Sequence, residues 1–174
     1  ISCVTWAQAD KFCSWRNKRL PTEHELEKAT RGGCQPGKDS TCISDTPPYS
    51  WGYGKPTCKL ANFSEVPNTW GCGTWVPWAF GNGAMGPYTQ GELLGNVWEW
   101  TSDYYSATFY SSLAGAGNGE PKLNPTQTSY SSQRTIRGGG FDSLAADLRG
   151  YVRKAMPESG SHPNLGFRCA QSPK

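Results

Sequence analysis

The sequence predicts an α+β domain with little regular secondary structure: two helices, a few short strands, and long irregular connections held by aromatic rings and disulfides. Three observations carry this expectation. First, 21 glycines and 13 prolines among 174 residues suit turns that need positive or fixed φ, not long surface helices. Second, charged residues make up only 18% of the chain while aromatics reach 13%, with eight tryptophans, so the core is built from large rings and disorder is excluded. Third, seven cysteines stand at positions 3, 13, 34, 42, 58, 72 and 169. They lack the CxxC pairs of a zinc site and point to an oxidising compartment.

The first element is a helix over 5–17. Thr5 and Gln8 form a capping box, and Trp6, Ala9, Phe12 and Cys13 recur at helical spacing. Leu20-Pro21 punctuates the chain, and a second helix follows with Thr22 as N-cap, Glu25 reaching back from the third position, and Gly32-Gly33 as the exit. It is expected to end near Thr30. From Gly33 to about Gly91 no period survives, and the cysteines and rings there must fasten a long coil. VWEWTSDYY at 97–105 and RTIRGGGF at 134–141 read as short buried strands joined by a Ser/Gly/Asn-rich surface loop at 106–133. A last strand is expected at 166–171, GFRCAQ, and no internal repeat is present.

The length suits one domain with a real core. A formal charge of +3, scattered along the chain, offers no basic stripe for nucleic acid. No stretch approaches the ~18 apolar residues of a membrane span, and the N-terminus lacks a signal-peptide layout. The odd cysteine count leaves one thiol over unless it pairs with another chain or with sequence absent here.

RLPTEHELEKATRGG at 19–33, WG at 51–52, LANF at 60–63, GNVWEWTSDYY at 95–105, IRGGGF at 136–141 and NLGFRCA at 164–170, in this order, resemble the formylglycine-generating enzyme (sulfatase-modifying factor) family over nearly the whole chain. The resemblance implies a single domain over 1–174 with a variant of the C-type lectin fold: two helices, a small antiparallel sheet and bound calcium. Members carry strands before a motif similar to ISCVTW, so it also implies that those strands are missing here or supplied by another polypeptide.

Catalytic members oxidise a substrate cysteine with two copper(I)-binding cysteines just after the RGG strand. Those positions are Ser143 and Leu148 here, and neither supplies the soft thiolate that copper(I) requires. Gly140 replaces the usual Ser and Asp147 a frequent aromatic, while Trp98, which lines the site in the enzymes, is kept. The resemblance therefore implies a non-catalytic member with no copper and no catalytic residue. A related sulfoxide-synthase branch uses a three-histidine iron site, and this chain has only His24 and His162.

What the resemblance does carry over is calcium: Glu92, the carbonyls of Gly95 and Val97, and Glu99, with a weaker second site at Asn62 and Phe63. Hard oxygen donors in a tight turn are what Ca²⁺ takes. Asn62-Phe63-Ser64 is also a glycosylation sequon. The family places a disulfide from the first helix to the last strand, hence Cys13 with Cys169. Cys34–Cys42 and Cys58–Cys72 would each close a short irregular loop, although four cysteines allow three connectivities; Cys3 is the leftover. Such local cysteine insertions resemble those of secreted bacterial members. The expected function is a secreted, periplasmic or cell-surface module that binds a protein or glycan ligand or neighbouring subunits of an assembly. The alternative is a family oxidoreductase with altered chemistry, using a polar cluster of Asp142, Asp147, Arg149 and Arg153.

Overall fold

The computed structural model describes residues 1–33, 47–66, 71–72, 85–115 and 124–172. Helix α1 (Trp6–Trp15) starts where the Thr5 hydroxyl accepts from the Gln8 N–H and the Gln8 side chain accepts from the Thr5 N–H. It closes short of the expected 5–17 because Arg16 leaves helical geometry and Asn17 turns left-handed, at φ 54°. Helix α2 (Glu23–Arg31) repeats the device with Thr22 and Glu25, and ends on Gly32 at φ 73°. Glu23 and Glu25 lie in its first turn and Lys28 and Arg31 in its last, as the helix dipole favours.

The sheet has four strands in the order β3-β2-β1-β4. The central pair is β1 (Trp98–Tyr104) and β2 (Gln133–Arg137), antiparallel with Trp100 opposite Ile136 and a register irregularity before Tyr104. Strand β3 (Arg153–Pro157) runs antiparallel to β2, and β4 (Leu165–Gly166) runs parallel to β1. The sheet is thus mixed, not wholly antiparallel. Gly138 and Gly139, at φ 98° and 79°, end β2 before the predicted limit of 141. The final segment is a strand only at Leu165–Gly166, continued by an isolated bridge from Ala170 to Arg19.

Among the described residues three elements lie outside the sequence expectation, one of them a single 3₁₀ turn at Ala145–Leu148. Strand β3 is an edge strand that carries Arg153, Lys154 and a terminal proline, which hides any apolar alternation. A third helix, α3 (Phe109–Gly115), begins inside the expected loop at 106–133.

One core cluster joins α1 to the sheet through Ala9, Cys13, Leu20, Trp98, Trp100, Ile136 and Leu165. The buried indoles keep their hydrogen bonds: Trp6 donates to the Thr101 carbonyl and Trp100 to that of Val4. A second cluster gathers Tyr49, Ala61, Phe63, Leu93, Leu94 and Leu148. Cys13 is bonded to Cys169, tying α1 to the segment after β4, and Cys58 to Cys72. Cys3 is exposed and unbonded. The expected Cys34–Cys42 pair lies outside the described residues.

Between α2 and the sheet sits a buried ionic network. Arg153 donates twice to Glu23, at 2.7 Å each, and Arg137 and Arg31 both donate to Glu27. Glu23 is 1% exposed and Arg137 3%, so each charge is viable only because the others are present. His24 stacks on Tyr110 of α3. Burial, reinforced by Glu23 and Glu27, pushes the Tyr110 phenol well above the ordinary tyrosine range.

Candidate functional site

The turn after β2 leads the chain over the edge of Trp98. A Cβ at Gly140 would lie 3.0 Å from the Asn164 Cβ and 3.1 Å from both Asp142 Oδ1 and Trp98 Cδ1. The missing side chain therefore lets these three groups converge. The Asn164 amide donates to both Asp142 oxygens, at 2.6 and 2.7 Å, and Asn164 Oδ1 lies 2.6 Å from His162 Nδ1. The Asn164 backbone N–H also lies 3.4 Å from Nδ1, so the side chain and the backbone of Asn164 both address that ring nitrogen. Lys154 lies 4.8 Å from the centre of the Trp98 ring and pairs with Asp147 at 2.8 Å. Asp142, Asn164, His162, Lys154 and Asp147 thus form a polar rim around a nearly buried indole.

Ser143 and Leu148, the positions that the sequence resemblance sets against copper-binding thiols, play structural parts here. Ser143 is 6% exposed, and its hydroxyl accepts from the Gly140 N–H at 2.9 Å, closing the turn. Leu148 is fully buried in the second core cluster. The polar cluster of the alternative reading does not assemble as one. Arg153 is drawn away to Glu23, Arg149 is exposed, and Asp142 and Asp147 have separate partners. The sequence reading missed Asn164 and Lys154; the glycine at position 140 was the signal available for the convergence.

The turn before β1 carries the residues named for calcium. Glu92, Gly95 and Asn96 have φ of 53°, 80° and 67°, so the backbone coils tightly and leads into Glu99, which is 9% exposed. Arg168 is the group that meets this carboxylate. Its Nε and Nη2 donate to the two Glu99 oxygens at 2.5 and 2.7 Å, and Nη2 also donates to the Glu92 carbonyl at 2.7 Å. Burial works against the guanidinium charge, but the Glu99 carboxylate more than offsets it and holds Arg168 above the ordinary arginine range. Among the described residues no three His, Cys, Asp or Glu side chains converge on one point, so a cation here would rely on backbone carbonyls. The donor set, one buried carboxylate and carbonyl oxygens in a tight turn, fits Ca²⁺ in kind. An ionised carboxylate has about four acceptor sites, so Glu99 can serve Arg168 and an ion together.

Asn62 and Phe63 are 1% and 3% exposed. The Asn62 carbonyl accepts from the Asn96 N–H at 2.7 Å, and a Cβ on Gly95 would come within 2.6 Å of it. The Asn62 amide is closed to glycosylation in the folded chain, which removes the sequon reading.

A model of the sulfatase-modifying factor enzyme 1-like domain matches residues 1–173. The formylglycine-generating enzyme of Streptomyces coelicolor is 31% identical over 177 residues, covering 96% of this chain and 51% of that protein. A bovine protein described as an inactive C-alpha-formylglycine-generating enzyme 2 is 30% identical over 177 residues, covering 96% of this chain and 48% of its own length. The chain therefore spans about half the length of these relatives. Among solved structures, PvdO from Pseudomonas aeruginosa superposes with a TM-score of 0.65 at 21% identity, covering 95% of this chain and 59% of that one. Among the described residues, three short α-helices on a small curled mixed sheet make this the formylglycine-generating-enzyme variant of the C-type lectin fold.

Proposed function

Because the chain belongs to the sulfatase-modifying factor enzyme 1-like family, we propose that it is a non-catalytic member, a disulfide-linked binding or structural module of a secreted or surface assembly. One observation carries the reading. Where family enzymes need two thiols, this chain has a serine whose hydroxyl closes a backbone turn and a leucine built into the core. Substituting either residue by cysteine in place would still leave position 148 facing apolar neighbours. The likeness to a bovine relative described as inactive supports the same reading. The two disulfides among the described residues support an oxidising compartment. Among the described residues no helix is long and apolar enough to cross a membrane.

The test is elemental and chemical. Purified protein is expected to hold no copper and to leave a cysteine-containing sulfatase-type peptide unmodified. Stoichiometric copper, or conversion of the peptide cysteine to an aldehyde, overturns the proposal.

Calcium is part of the same proposal. Glu92, the carbonyls of Gly95 and Val97, and Glu99 would hold the ion, which would pin the turn feeding β1 into the core; Asn62 and Phe63 are a weaker second set. Chelation is then expected to lower the melting temperature, and Glu99→Gln to melt low and lose the chelator response. The bidentate Arg168 favours a second reading of that turn, in which the guanidinium alone neutralises Glu99. An unchanged melting temperature under chelator selects that reading.

A further inference from the structure

One face of α1 carries rings that the core does not take up. Phe12 and Trp15, three apart, share a helix face, and Phe12 also packs edge-on against Phe167, giving ring separations of 5.8 and 5.4 Å. Trp15 is 71% exposed and Phe12 40%. The run does not end in carbon: the Arg16 guanidinium lies 5.6 Å from the centre of the Trp15 ring. Lys11 is four residues before Trp15 on the same face, and Lys18 follows two residues beyond Arg16.

The charge on this surface is unbalanced. Among the described residues, neighbouring Arg19 is neutralised by Glu25 and Arg168 by Glu99, whereas Lys11, Arg16 and Lys18 take part in no ion pair. Asp10 is the only acid between Trp6 and Thr22. Arg16 and Lys18 at a helix C-terminus suit the dipole, but that does not account for Lys11 or for an indole left largely in water.

We propose that this end of α1 is a docking surface for an acidic polysaccharide. A mostly exposed indole offers a flat apolar face with no enclosing walls, on which the C–H face of a sugar ring can stack. Cations spaced along and beyond the helix meet carboxylates repeated along a glycan, and the Arg16 fork can take one of them in bidentate fashion. The surface shares no residue with the Asp142–Asn164–His162 rim, and its test is independent of the copper and peptide assays.

The experiment measures binding of polygalacturonate by calorimetry at two salt concentrations, with neutral dextran and poly-L-glutamate as comparison polymers. Polygalacturonate is expected to bind, more weakly at high salt, and dextran and poly-L-glutamate at least tenfold less well. Trp15→Ala is expected to weaken binding about tenfold or more with little change in melting temperature, since the ring is exposed, and Trp15→Tyr to retain most of it. The double variant Arg16→Glu, Lys18→Glu is expected to abolish it. Absence of polygalacturonate binding overturns the proposal. So does poly-L-glutamate binding of equal strength that Trp15→Ala leaves unchanged, because the face then docks an acidic polypeptide through charge alone.

Discussion

Arg168 shows what a single side chain can be asked to hold. It meets a buried carboxylate with two hydrogen bonds and the backbone carbonyls of Gly91 and Glu92 with two more, so it joins the segment after β4, the start of β1 and the turn preceding it. Replacing it with methionine strands Glu99, and breaking one side of such a pair costs on the order of 2–4 kcal/mol. Arg168→Met should therefore lower the urea midpoint strongly, and adding Glu99→Gln should recover part of the loss; a strictly additive double variant would show that the two do not act as a pair. Glu25 offers a contrasting case at the surface. Its hydrogen bond to Arg19, reinforced by Thr22 and opposed by partial burial, holds its carboxyl below the ordinary glutamate range. A lowered folded-state pKa contributes stability above the unfolded value of about 4.3 and loses it as pH falls through the folded one. Glu25→Gln keeps a capping side chain and should cost under about 1 kcal/mol at pH 7, the pair being half exposed. That deficit should vanish near pH 2, which urea titrations at the two pH values would show.

At the level of elements, the glycines after β2 decide where the strand stops and what can pack beneath it. Gly139 sits at φ 79°, and a Cβ there would come within 2.8 Å of the Leu148 Cδ2. Gly139→Ala combines left-handed strain with an intrusion into the second core cluster, and a loss of about 2–3 kcal/mol is expected by chemical denaturation. Gly54→Ala, with only the Trp51 ring at 4.0 Å from its Cβ position and no positive φ, should change stability little. The same level shows what could be read from the chain. Both capped helices were legible because Thr-x-x-Gln and Thr-x-x-Glu report their own hydrogen bonds locally, and β1 because its tryptophans are buried on a central strand. Strand β3 was not legible. Its Arg153 and Lys154 are committed to Glu23 and Asp147, so its strand character comes from five pairings with β2 and from no pattern of its own. Helix α3, seven residues of Phe, Tyr, Ser, Leu, Ala and Gly, likewise owes its place to packing of Phe109 and Tyr110. At the candidate site, the serine at 143 and the leucine at 148 were visible in the residues, while the Asp142–Asn164–His162 chain was not, because it joins the turn after β2 to the loop before β4.

For the whole molecule, the bond between Cys13 and Cys169 spans 156 positions and closes nearly the entire chain into one ring. Constraining a loop of that size removes on the order of 5 kcal/mol of unfolded-state entropy. Cys13→Ser with Cys169→Ser should therefore lower stability by several kcal/mol in urea, more than the loss of the 14-position Cys58–Cys72 loop; equal effects of the two deletions would count against the entropic account.

The same ring settles how the molecule bears load. A pull on the chain flanking the two cysteines puts tension on the sulfur–sulfur bond, and among the described residues every strand and the whole second core cluster lie inside the loop that the bond shields. Force applied along the backbone thus bypasses the sheet and travels from α1 to the segment after β4 through a covalent link. Adding a reductant converts that short tether into one longer by several hundred ångströms, an extension step that single-molecule pulling would register at once.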